Sequence, residues 1–114
     1  MDVKVIQLPR RIEVGGNDIV IQHPLKCNNN NLGQCNVAGG FIRIAQTFNN
    51  SEGDMEQSES SKTNTFYHEL THAILDVMNR GDLSGDENFV STFASLLCGT
   101  MRQIVEFQFP IIDK

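Results

Sequence analysis

The chain has 114 residues, 39% of them hydrophobic and 20% charged, with a net charge of −5. That length supports one domain, residues 1–114, with a single core, and the acidic balance without a basic patch argues against nucleic acid as a partner. No apolar run approaches the roughly 20 residues that cross a bilayer, and "MDVKVIQLPRR" lacks the apolar centre and small-residue cleavage site of a signal peptide; no membrane is expected, and the expected compartment is the cytoplasm.

Taken in order, the first half reads as strands. "RIEV" and "IVIQ" flank "GGND", a turn rich in residues that accept positive φ, which predicts a hairpin. "QCNV" and "FIRIA" flank Ala38, Gly39 and Gly40 and predict a second hairpin, with Asn28 to Asn31 as the loop between the two. From Asn49 to Ser61 the chain turns polar and acidic and reads as a mobile surface loop.

The second half reads as two helices. Phe66, Leu70, Ala73, Ile74 and Val77 recur at helical spacing and define a core face, which Asn79, Arg80 and Gly81 terminate. Val90, Phe93, Ala94, Leu97, Met101, Ile104 and Val105 form a second stripe that stops before Pro110, with Gly99 inside it as a candidate point of close packing. The fold class is α+β: a small, mostly antiparallel sheet of N-terminal hairpins packed on two helices. Cys27, Cys35 and Cys98 are an odd count in no close pair, which favours reduced thiols over disulfides or a metal knuckle, and Cys98 falls in an apolar stripe as a small core residue.

The chemistry concentrates in "FYHELTHAIL". On a helix His68 and His72 lie about 40° apart around the axis and one turn apart along it, so both rings can reach one metal ion. Glu69 is rotated by about 100° from His68, beside such an ion, where a general base for an activated water belongs. A catalytic zinc site needs a third protein ligand and an open position. Glu87 is the best candidate because it opens the second helix beside its buried stripe, and zinc between two neutral histidines would compensate its charge. Glu87 has a competing role: "SGDE" also fits a capping box with Ser84 as N-cap, while Asp86 is a simple N-cap.

"HELTHAILD" resembles the zinc helix of thermolysin-like gluzincins. The wider order of "GQC", "FIRIA", a polar link, "HELTHAIL" and "DENFVSTFASLL", from about Leu32 to Met101, is similar to small phage and prophage metallopeptidases related to the ImmA/IrrE group. The resemblance implies a minimal zincin-like core with one zinc at His68, His72 and Glu87, Glu69 as catalytic base, and hydrolysis of a peptide bond in a peptide or protein substrate. It also implies "FIRIA" as the sheet edge along which an extended peptide lies, against the plainer reading of an ordinary strand. The relatives carry an aspartate four residues after the ligand glutamate; here that position is Ser91, so Ser91 or another group, such as Asp76, must orient the histidines. For a donor to the developing oxyanion only Tyr67 and His23 are of the right type, against the plainer and preferred readings of Tyr67 as a residue that packs or caps near the helix and His23, before Pro24, as a surface turn residue. Two rival readings stand beside the peptidase: a non-catalytic zinc-stabilised binding module, and a subunit whose regulatory protein partner completes the site.

Overall fold

The computed structural model describes residues 7–108; Pro110, expected to stop the last helix, and most of the N-terminal stretch read for a signal sequence lie outside this range. Strands β1 (Arg11–Val14), β2 (Asn17–Gln22), β3 (Gly33–Asn36) and β4 (Phe41–Ile44) form one sheet in the order β1-β2-β4-β3. The two predicted hairpins are its outer pairs, and they meet through a parallel pairing of β2 with β4. Gly15 and Gly16, at φ 56° and 85°, supply the left-handed backbone that a two-residue hairpin turn requires. Asn28–Asn30 forms a single 3-10 turn between the hairpins.

"FIRIA" therefore runs through the middle of the sheet as β4, and the edges are β1, "RIEV", and β3, "GQCN". This corrects the expected edge. Strand composition reports burial of one face, and Ile42 and Ile44 are fully buried, but only the pairing order decides which strand lacks a second neighbour.

The stretch read as a loop from Asn49 to Ser61 is also corrected. It falls in β5 (Thr47–Asn50), β6 (Gly53–Glu56) and the start of a helix. The β5–β6 ribbon lacks apolar alternation because polar contacts hold it: Asn30 exchanges two 2.7 Å hydrogen bonds with the Asn49 backbone, and Lys26 pairs with Asp54 at 2.7 Å.

Three helices follow: α1 (Glu59–Val77), the one-turn α2 (Gly81–Ser84) and α3 (Glu87–Gln108). α1 starts at Ser58, whose hydroxyl accepts from the Ser61 N–H, and ends where Asn79 takes φ 61° and Arg80 N–H bonds back to Leu75. It lies on the sheet over β1, β3 and β4, while α3 packs on its other side. Buried residues consequently ring α1 (Thr63, Thr65, Phe66, Tyr67, Glu69, Thr71, Ala73, Leu75), whereas Ile74, expected in the core face, is exposed. The core joins Ile19, Ile21, Ile42 and Ile44 of the sheet to Phe66, Tyr67 and Ala73 of α1 and Ala94 and Cys98 of α3. Gly99 has no atom within 4 Å of where a Cβ would stand, so it marks no close packing. Among the described residues no helix is long and apolar enough to cross a membrane.

Candidate metal centre

His68 and His72 project from the middle of α1 with their rings edge to face, 5.0 Å apart. Glu87, the first residue of α3, reaches across to both: its Oε2 is 3.3 Å from His68 Nε2 and its Oε1 3.2 Å from His72 Nε2. These three ligand atoms lie within 4.8 Å of one another, and among the described residues they form the one such cluster of His, Cys, Asp and Glu. Zinc bonds of about 2.0–2.2 Å in a tetrahedron set neighbouring ligands about 3.3 Å apart, a length that each Nε2···Oε spacing matches, the two running to different oxygens of the one carboxylate. Two neutral imidazoles and one carboxylate are also a donor set that zinc favours.

The structure separates the two roles open to Glu87. Asp86 caps α3, its Oδ1 accepting from the Phe89 N–H at 3.1 Å, which leaves the Glu87 carboxylate to the histidines. Ser84 is not part of a capping box with it. Its hydroxyl sits 3.0 Å from His72 Nδ1, presented there by α2. An Nδ1–H donated to Ser84 leaves the Nε2 lone pair free for a metal and fixes the plane of the ring. Ser91 and Asp76, considered for that orienting role, are exposed and do not line the cleft.

Glu69 is 8% exposed, although it sits beside an open cleft of about 660 Å³. Gly33 of the edge strand closes over it: a Cβ at Gly33 would stand 3.0 Å from Glu69 Cγ and 2.5 Å from Thr65 Cγ2, so only glycine lets β3 lie this close to α1. Burial, and then the neighbouring Glu87, push the Glu69 carboxyl up from 4.5 to about 7. Burial and the neighbouring His72 lower His68, partly offset by Glu87. In the metal-free chain the site thus favours a neutral imidazole, the ligating form, and a carboxyl poised to exchange a proton near neutrality.

Gln57 ties the start of α1 to the sheet. Its amide donates to the Ala45 carbonyl at 2.6 Å, and its Oε1 accepts from Ser61 Oγ at 2.8 Å and Thr65 Oγ1 at 2.9 Å, pinning the start of α1 to the end of β4. The bonds leave this 3% exposed amide satisfied.

Neither candidate for the oxyanion donor lines the cleft. Tyr67 is buried edge-on against Phe66 at 5.2 Å, and His23 is exposed elsewhere, its carbonyl accepting from Gln46. All three cysteines are free, with Cys98 in the core as expected. Cys35 borders the cleft, and burial, then Glu69 and Asp76, push its thiol up to about 12. Of the residues that shape the site, Gln57 carried no sequence signal, Gly33 entered only as part of "GQC", and Ser84 read as a cap.

No protein family, no curated protein and no solved structure matches the chain.

Proposed function

We propose that the chain is a zinc-dependent metallopeptidase on a minimal zincin-like core, with His68, His72 and Glu87 holding one zinc ion and Glu69 acting as general base. One observation carries the reading: two imidazole Nε2 atoms and one carboxylate converge at 3.2 and 3.3 Å beside a second, buried carboxyl. Zinc in such a site supplies a water acidic near neutral pH and a Lewis acid for the substrate carbonyl. The chain supplies the rest. Ser84 holds the His72 ring in its ligating orientation. Glu69 takes the proton from the attacking water and returns it to the departing amine, a shuttle suited to a carboxyl beside the ligand set. The outer edge of β3, paired on one side only by β4, accepts an extended peptide as an added strand beside Glu69.

A second reading, a non-catalytic module in which zinc staples α1 to α3, is favoured by one feature: neither Tyr67 nor His23 lines the cleft to stabilise an oxyanion. Elemental mass spectrometry of untagged protein, followed by peptide cleavage assays on Glu69→Gln, separates the two. The peptidase carries about one zinc per chain, and the variant retains the zinc while losing turnover by roughly 100-fold or more. Bound zinc with no cleavage by either protein leaves the staple. No zinc uptake ends both readings.

A further inference from the structure

α1 and β3 run side by side with the cleft between them. Gly33 lies against Thr65 and Glu69, and Cys35, two residues on, borders the cleft with His72. On α1, Asn64, His68, His72 and Asp76 follow one another every fourth residue, so each is turned about 40° from the last and set about 6 Å further along the axis. The row spans about 18 Å, the length of about five or six residues of extended peptide. His68 and His72 occupy its middle, and Asn64 and Asp76 its ends.

The two ends differ in charge. Asn64 is a neutral carboxamide that lines the cleft. Asp76 stands exposed just past the lining, on the side of Cys35, whose thiol it helps to raise after burial and Glu69. Among the described residues no Lys or Arg lines the cleft. Asp76 is also badly placed for α1 itself. It lies in the last turn, at the negative end of the helix dipole, and that turn has no basic residue to offset it. Arg80, four residues on, is held by Asp82 at 2.9 Å, and Asp76 enters no ion pair among the described residues. A charge that local stability disfavours and no neighbour compensates marks a position that serves a ligand.

We propose that Asp76 selects substrates with a lysine or arginine two or three residues from the scissile bond. The inference rests on the peptidase reading of the site and adds the charge of the substrate to it. Asp76 lies about 9 Å along α1 from the level midway between His68 and His72, which is about two to three residues of a strand added to the β3 edge. A long basic side chain at that place reaches the carboxylate and offsets the unfavourable charge at the helix end. An acidic one is repelled by Asp76, in a chain that already carries −5. The Asn64 end is uncharged and makes no such selection.

Digestion of a random-sequence peptide mixture, with the residues around each cut read by mass spectrometry, tests this. The zinc-loaded full chain is compared with Asp76→Asn, Asp76→Lys and, as a control on the other edge of the sheet, Glu13→Gln. For wild type and Glu13→Gln the expected result is a roughly three- to fivefold enrichment of Lys and Arg at one position two or three residues from the cut, the size of one exposed ion pair. The enrichment disappears in Asp76→Asn, turns to Asp and Glu in Asp76→Lys, and fades in about 0.5 M salt. Fluorescence anisotropy of the selected peptides on zinc-loaded Glu69→Gln, which does not cut them, shows the same preference as affinity. Cleavage without a charge preference, or with one that survives Asp76→Asn, overturns the role of Asp76 and leaves the peptidase reading in place. No cleavage by wild type overturns both.

Discussion

α1 and α3 divide the work of the molecule in opposite ways. α1 is the more polar helix, yet it is buried over most of its circumference, with Thr63, Thr65, Glu69 and Thr71 among its hidden residues. α3 is the more apolar helix, yet Phe89, Phe93, Leu96 and Ile104 are on its surface. The difference comes from layer order: α1 lies between the sheet and α3, whereas α3 packs against α1 and the short α2. A sandwiched helix can bury polar groups if each finds a partner. Thr71 Oγ1 donates to the Tyr67 carbonyl at 2.7 Å, and Thr65 Oγ1 to Gln57. Glu69 lies in the same buried layer, where its carboxyl is raised to about 7. The chemistry of the site sits on the helix where burial can tune it, and α3 contributes a single group at its first residue.

That contrast can be broken at Glu87. If α3 supplies a true ligand, Glu87→Ala weakens zinc binding by well over about 100-fold, more than the 10- to 100-fold that losing an outer partner costs. Competition against a chromogenic chelator reads this directly, and an unchanged affinity would confine the metal to α1.

The second test concerns the cost of burial on α1. In the metal-free chain Glu69 titrates at about 7 instead of 4.5, so the folded state holds the proton more tightly than the unfolded state. The burial penalty is absent below about pH 4.5, grows as pH rises to about 7, and is complete above it, reaching at most about 3 kcal/mol. Glu69→Gln removes the penalty. With chelator present, urea unfolding should show the variant more stable by up to about 3 kcal/mol at pH 8 and nearly equal to wild type at pH 4. Equal stabilities at both pH values would mean that α1 does not desolvate this carboxyl.

The smallest expected effect is at Ser84, which belongs to neither long helix. Ser84→Ala frees the His72 ring and should weaken zinc binding roughly tenfold with little change in unfolding midpoint. A loss as large as that of Glu87→Ala would make the α2 turn part of the metal's essential support.

Much of this molecule is legible from residue order alone. Both outer hairpins, the α1 and α3 periodicities, the Asn79 stop and the His68, Glu69 and His72 spacing are local properties, set by side-chain alternation, turn chemistry and 3.6 residues per turn. The α+β architecture follows from them. What escaped the sequence depends on neighbours distant along the chain. The β5–β6 ribbon was hidden because its polar contacts to Lys26 and Asn30 come from another segment and leave no apolar signature.

That the Glu87 carboxylate faces the two histidines while Asp86 caps α3 needed α1 placed across from it, since capping and facing α1 use the same carboxylate at the same helix start. The edge position of β3 and the contact of Gly33 with Glu69 needed the strand order, because a strand's own residues do not record which side lacks a partner. Residue order by itself determined which groups share a helix turn. The tertiary structure decided which of them are buried, which meet, and which apolar residues of α3 are exposed, because burial and convergence are properties of packed layers rather than of single elements.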